Sequence, residues 1–158
     1  MRKILFAVSL VVGLVVLFSG SPLLAADNWL GTWKLNVAKS KYSPGPAAKS
    51  LTVKFEAAGD SIILTSDGVG ADGKPTHNTY TSKFDGKEVP WTGNPDADTS
   101  SVKRIDANSY ENVWKKAGKV TISAKGVVSK DGKTLTITQT GQNAKGETIN
   151  NTLVLERQ

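Results

Sequence analysis

The chain has 158 residues, a formal charge of +6, no Cys and a single His, His77. That composition excludes thiol catalysis, iron–sulfur clusters and Cys-ligated zinc, and it leaves little from which to build an imidazole metal site. Its Lys and Arg residues are scattered, in runs no longer than the pairs Lys103-Arg104 and Lys115-Lys116, so there is no basic stripe for nucleic acid.

At the N-terminus Arg2 and Lys3 precede an apolar run from Ile4 to Phe18. Ser19-Gly20-Ser21-Pro22 and then Leu23-Leu24-Ala25-Ala26 follow. This is the layout of a secretory signal peptide over residues 1–26. The apolar run is about 15 residues, shorter than the ~20 that a spanning helix needs. The expectation is export to the periplasm or out of the cell, with a mature domain over residues 27–158. That part carries 18 basic and 14 acidic side chains, a net +4. Its length suits one domain, held by its core without disulfides.

The mature part reads as strands and turns. The first run covers residues 29–36. After a stretch with Pro44, Gly45 and Pro46, which holds at most one helical turn, come runs at 50–57 and 61–67, divided by Gly59-Asp60. Asp72-Gly73-Lys74 precedes a run at 76–84, and Asp85-Gly86-Lys87 opens one at 86–90. Asp-Gly supplies the positive φ of a tight hairpin. A loop over 90–98, with Pro90, Gly93 and Pro95, leads to runs at 99–106, 109–116, 119–129, 133–141 and 147–157. Several alternate cleanly: Leu51, Val53 and Phe55 oppose Thr52, Lys54 and Glu56, and Leu135 and Ile137 oppose Thr134, Thr136 and Thr138. Period-two alternation buries one face of an antiparallel sheet and wets the other.

Short strands joined by tight hairpins must form a sandwich or close on themselves, and closure removes the exposed edges. Hairpin-by-hairpin connection favours closure. The expected fold is all-β, a single antiparallel up-and-down barrel of eight to ten strands.

The first strand contains Gly31-Thr32-Trp33, and Arg157 stands near the end of the last. These residues resemble the Gly-x-Trp first strand and terminal basic residue of the lipocalin and fatty-acid-binding protein superfamily. Among its branches the chain is most similar to short, exported lipocalin-like domains. The resemblance implies that Arg157 lies against Trp33 at the closed end of the barrel. Two features of the relatives are missing: no helical lid fits between residues 39 and 48, and no helix accompanies the last strand.

Candidate functional residues come from the apolar faces. Tyr80 and Phe84 share a face with Asn78 and Ser82, and Tyr110 and Trp114 share one with Asn112. Gln139 continues the Leu135 and Ile137 face, and Asn151 continues that of Ile149 and Leu153. An unpaired buried amide costs roughly 1–3 kcal/mol, so several of them imply a hydrogen-bonded network or a cavity. Aromatics with a few amides make an apolar pocket with orienting polar groups, and a small barrel can hold one small ligand. The expected ligand-binding set is Asn78, Tyr80, Phe84, Tyr110, Asn112 and Trp114, with Arg104 turned inward to meet a carboxylate. Trp114 is expected near Val120 or Ile122.

The expected partner is a small hydrophobic or amphipathic molecule. A second reading is a protein-interaction or inhibitor module with a packed interior and an exposed aromatic patch around Trp91. Catalysis has little support: there is no Gly-x-Ser-x-Gly elbow and no pair of carboxylates in an apolar setting. No cofactor is expected. Asp96 and Asp98 lack the spacing of a calcium loop, so no metal is expected. The glycosylation-type triplet Asn150-Asn151-Thr152 falls inside a strand.

Overall fold

The computed structural model describes residues 27–158; the expected signal peptide over residues 1–26 lies outside the described residues. Ten antiparallel strands follow one another: β1 (Gly31–Leu35), β2 (Ser50–Ala58), β3 (Ser61–Val69), β4 (Pro75–Ser82), β5 (Asp85–Pro90), β6 (Thr99–Asp106), β7 (Ser109–Lys116), β8 (Lys119–Val128), β9 (Thr134–Gln142) and β10 (Thr148–Arg157). A single 3-10 turn, Val37–Lys39, interrupts the β1–β2 connection.

Every strand pairs with its neighbours in sequence except that β4 does not pair with β5, and β1 also pairs with β10. The free edges are β4 and β5. The segment just after β5 meets β4 at one reciprocal pair, in which the N–H groups of Thr79 and Thr92 each donate to the other's carbonyl at 3.0 Å. The result is a nearly closed up-and-down barrel. The alternation read from the sequence sets its inside: Val53 and Phe55 are buried while Lys54 and Glu56 face solvent.

Up-and-down order puts alternate connections at opposite ends. One end carries β2–β3, β4–β5, β6–β7 and β8–β9, and here the interior is plugged. Asp27–Leu30 crosses this end as a turn, so β1 starts at Gly31 and Trp29 is not a strand residue. Trp29 is fully buried. It stacks on Phe84 at 4.6 Å and meets Phe55 and Tyr110 edge-on at 5.8 and 5.7 Å. Trp33 Nε1 donates to the Trp29 carbonyl at 2.8 Å, which ties plug to strand.

Arg157 covers the same end. Its guanidinium carbon is 4.2 Å from the centre of the Trp33 ring, a cation–π distance. The guanidinium also donates to the carbonyls of Leu30 at 2.9 Å, Gly132 at 2.7 Å and Asn28. Gly31 is required beneath it. Its φ is +118°, and a Cβ there would stand 2.9 Å from Arg157 Nη1. The spacing Gly31-x-Trp33 with Arg157 is therefore one packed unit.

Two irregularities move side chains. Phe84 has φ +56° in the β4–β5 turn, so β4 ends at Ser82 rather than at residue 84. On β8 the register shifts so that Trp114 faces Ile122 but Lys115 faces Val120. This bulge leaves Val120 exposed at the rim, so Ile122 and not Val120 is the inward neighbour of Trp114.

Candidate functional site

Above the plug the barrel is not filled. A cavity of about 650 Å³ runs from the middle of the interior to the end that carries the β1–β2, β3–β4, β5–β6, β7–β8 and β9–β10 connections. The volume exists because positions that would carry large apolar groups in a dry core carry smaller or polar ones. One cross-strand row reads Val102, Asn112, Ala124, Gln139 and Asn151 from β6 to β10. Ser66 and Asn78 face each other across β3 and β4. Leu51, Val53, Leu64, Ile137 and Leu153 supply the apolar wall.

One side of the wall is aromatic. The Trp91 ring stands edge-on to Trp114 at 4.8 Å and to Tyr80 at 5.1 Å. Trp91 Nε1 donates to Asn78 Oδ1 at 3.1 Å. With the Thr79–Thr92 pair, this bond closes the seam between β4 and β5. Gly93 makes the crossing possible: its φ is +83°, and a Cβ there would lie 2.2 Å from the His77 carbonyl oxygen.

The amides form ordered contacts. The Ser43 backbone N–H donates to Asn151 Oδ1 at 2.9 Å, which leaves Asn151 Nδ2 to donate to Gln139 Oε1 at 3.2 Å. Ser100 Oγ donates to Asn112 Oδ1 at 2.7 Å. Tyr42 Oη, Tyr80 Oη and Trp114 Nε1 are buried with no partner among the described residues. Burial pushes the phenols of Tyr42, Tyr80 and Tyr110 above their usual range, with Tyr110 adding a smaller effect at Tyr80. These side chains stay neutral donors.

Among the described residues no Lys or Arg lines the cavity. The one acid, Asp96, accepts the Ala144 N–H at 2.9 Å. His77, at the rim, has Nδ1 2.6 Å from Asp67 Oδ1.

Asn78, Tyr80, Tyr110, Asn112 and Trp114 all line this one space. Two expected members do not. Phe84 is buried, but its turn conformation carries it into the plug against Trp29. Arg104 is not turned into the lumen: its Nε donates to Asp27 Oδ1 at 2.6 Å, and its side chain is 44% exposed. The bulge between Arg104 and Asp106 and the approach of the N-terminal segment account for this placement.

Trp91 is likewise not an exposed loop aromatic; it is 8% accessible and part of the wall. Asp96 and Asp98 tie loops together, Asp98 Oδ2 by accepting the Ala117 N–H at 2.9 Å. Among the described residues no group of three His, Cys, Asp or Glu is placed to hold a metal, and no helix is long and apolar enough to cross a membrane. Tyr42 is one of the wall residues that the sequence reading missed. It lies in a Pro-rich connection with no periodicity to show which way it points.

No protein-family model matches the chain, and no curated protein matches it in sequence. Among solved structures it is similar to the zebrafish ileal bile-acid-binding protein complexed with cholic acid. The TM-score is 0.50 at 13% identity, over 84% of this chain and 99% of that one. A redesigned β-barrel is similar over 85% of this chain and 95% of its own, with TM-score 0.48 and 15% identity. At this identity the first likeness speaks for the fold alone, a ten-strand, nearly closed up-and-down barrel.

Proposed function

We propose that the mature domain is an exported binding protein that carries or scavenges one small, largely apolar molecule inside its barrel, and that it binds rather than catalyses. The observation that supports this most is the cavity of about 650 Å³, open at one end and lined by aliphatic, aromatic and amide side chains. Sites for small molecules are concave, mostly apolar and fitted with a few orienting polar groups, at volumes of roughly 300–1,000 Å³. The plug at the other end gives the cavity a floor. The zebrafish protein of similar fold is complexed with cholic acid, and a bound small molecule is the reading carried over here. The export half of the proposal rests on Arg2, Lys3 and the apolar run that follows.

Expression of the full chain in a bacterial host, followed by native mass spectrometry of the periplasmic fraction, tests both halves. The expected result is a processed chain starting near Asp27, with a population carrying one added small-molecule mass. A chain retained unprocessed in the cytoplasm would contradict export. Protein that stays at its bare mass after exposure to apolar extracts would contradict binding.

A further inference from the structure

The polar groups of the cavity are unbalanced in a way that selects ligand chemistry. The Trp91 indole N–H can only donate, so the Asn78 atom it meets is the carbonyl oxygen, and Asn78 Nδ2 is left over. The Ser43 backbone N–H can only donate, so it takes Asn151 Oδ1; Asn151 Nδ2 then takes Gln139 Oε1, and Gln139 Nε2 is left over. Asn112 gives its oxygen to Ser100 and keeps Nδ2. These three amide nitrogens have no protein partner among the described residues and are not sealed in the wall. They stand on β4, β7 and β9, so they surround the space rather than converging on one point. The indole N–H of Trp114 and the phenols of Tyr42 and Tyr80 also lack partners among the described residues, but they are sealed within the wall and do not face the lumen. With its amide oxygens engaged, the lining offers a surplus of amide N–H donors.

Among the described residues no Lys or Arg lines the cavity, and Asp96 is the one acid in its lining. Arg104, which the sequence reading turned inward, is held outside by Asp27. An ionised carboxylate moved into such a space loses its water and gains no counter-charge, at a cost of several kcal/mol. A neutral carbonyl oxygen has a small desolvation cost and finds donors waiting.

We propose that the cavity selects uncharged, largely apolar molecules bearing carbonyl-type acceptor oxygens (a ketone, quinone, ester or lactone) over their carboxylate and hydrocarbon counterparts. The proposal rests on the reading that the cavity binds a small molecule, and it names the class.

Three probes of nearly one shape test it: naphthyl methyl ketone, ethylnaphthalene and naphthoate, titrated into the mature domain by calorimetry at neutral pH. The ketone should bind about tenfold tighter than the hydrocarbon, the worth of about one net hydrogen bond, and naphthoate should bind weakest. In Gln139→Met and Asn112→Leu the ratio of ketone to hydrocarbon affinity should fall toward one in at least one variant. Binding of ethylnaphthalene by each variant shows that the fold survives. A ketone bound no better than the hydrocarbon, or naphthoate bound best, would overturn the proposal and leave the binding reading standing. Failure of all three probes to bind would overturn both.

Discussion

Trp91 and Asn78 sit on opposite sides of the one gap in the barrel wall, and the indole N–H of the first donates to the amide oxygen of the second at 3.1 Å. The bond joins β4 to the segment after β5, where the strands otherwise share only the Thr79–Thr92 pair. The seam and the cavity thus use the same residues, so under the proposed function binding should be coupled to local opening. Backbone hydrogen exchange should be faster at Thr79 and Thr92 than at the paired positions of β8 and β9, and Asn78→Ala should speed it further. Equal protection around the whole barrel would contradict this.

At the plugged end, Trp33→Ala should cost about 3–5 kcal/mol, as for other buried Trp residues. The loss includes its contact with Arg157 and its hydrogen bond to Trp29. Urea denaturation measures it. A midpoint close to that of the parent would mean that the Gly31, Trp33 and Arg157 unit is not a keystone of the fold.

Gly126→Ala should destabilise by about 1–3 kcal/mol through overpacking. A Cβ at this position would lie 2.4 Å from the Tyr110 ring, which packs over the glycine. Displacing that ring disturbs its contacts with Trp29 and Phe55 at the cavity floor. Thermal melting checks the stability. An unchanged melting temperature would show that the ring yields freely.

Arg104→Ala leaves the buried Asp27 carboxylate without its cation. Losing a charged hydrogen-bond partner costs about 1–3 kcal/mol, which denaturation would show. Probe affinity should not change, because Arg104 does not reach the cavity. Lost carboxylate affinity at full stability would restore Arg104 as a ligand contact.

The chain has three tyrosines, Tyr42, Tyr80 and Tyr110, and burial raises all three phenols above the ordinary value of 10.0. In the unfolded chain they ionise near that value. The folded chain therefore holds more protons as the pH rises past 10, and stability falls with rising pH there. This contribution is complete below pH 10 and is lost above it. Phenolate absorbance should appear in step with the loss of near-ultraviolet circular dichroism. A tyrosine that titrates near 10 in the folded protein would contradict the burial.

The ten strands were legible from short runs of strand-forming residues bounded by turn signals such as Asp-Gly and Gly-Asp, several of which alternate over five or more residues. The inward amides were legible for the same reason: parity places Asn78, Asn112, Gln139 and Asn151 once the strands are known. Features that parity does not govern were misread. Phe84 leaves its face through one positive φ, Val120 leaves it through a bulge, and Trp29 belongs to a plug whose position depends on tertiary packing. Trp91 follows a proline at a strand end, where no pattern shows whether a side chain turns in or out.

The central claim is that the barrel interior is the binding site, and filling it is the most direct test. Ala124 lies in the cavity wall between Asn112 and Gln139. Titration of naphthyl methyl ketone into the parent domain and into Ala124→Phe, followed by Trp fluorescence, compares the open and filled barrels. The account predicts one saturable site in the parent, quenching from Trp91 and Trp114, and loss of that site in a variant that still melts cooperatively. The same affinity in both proteins would place the site outside the barrel and contradict the account.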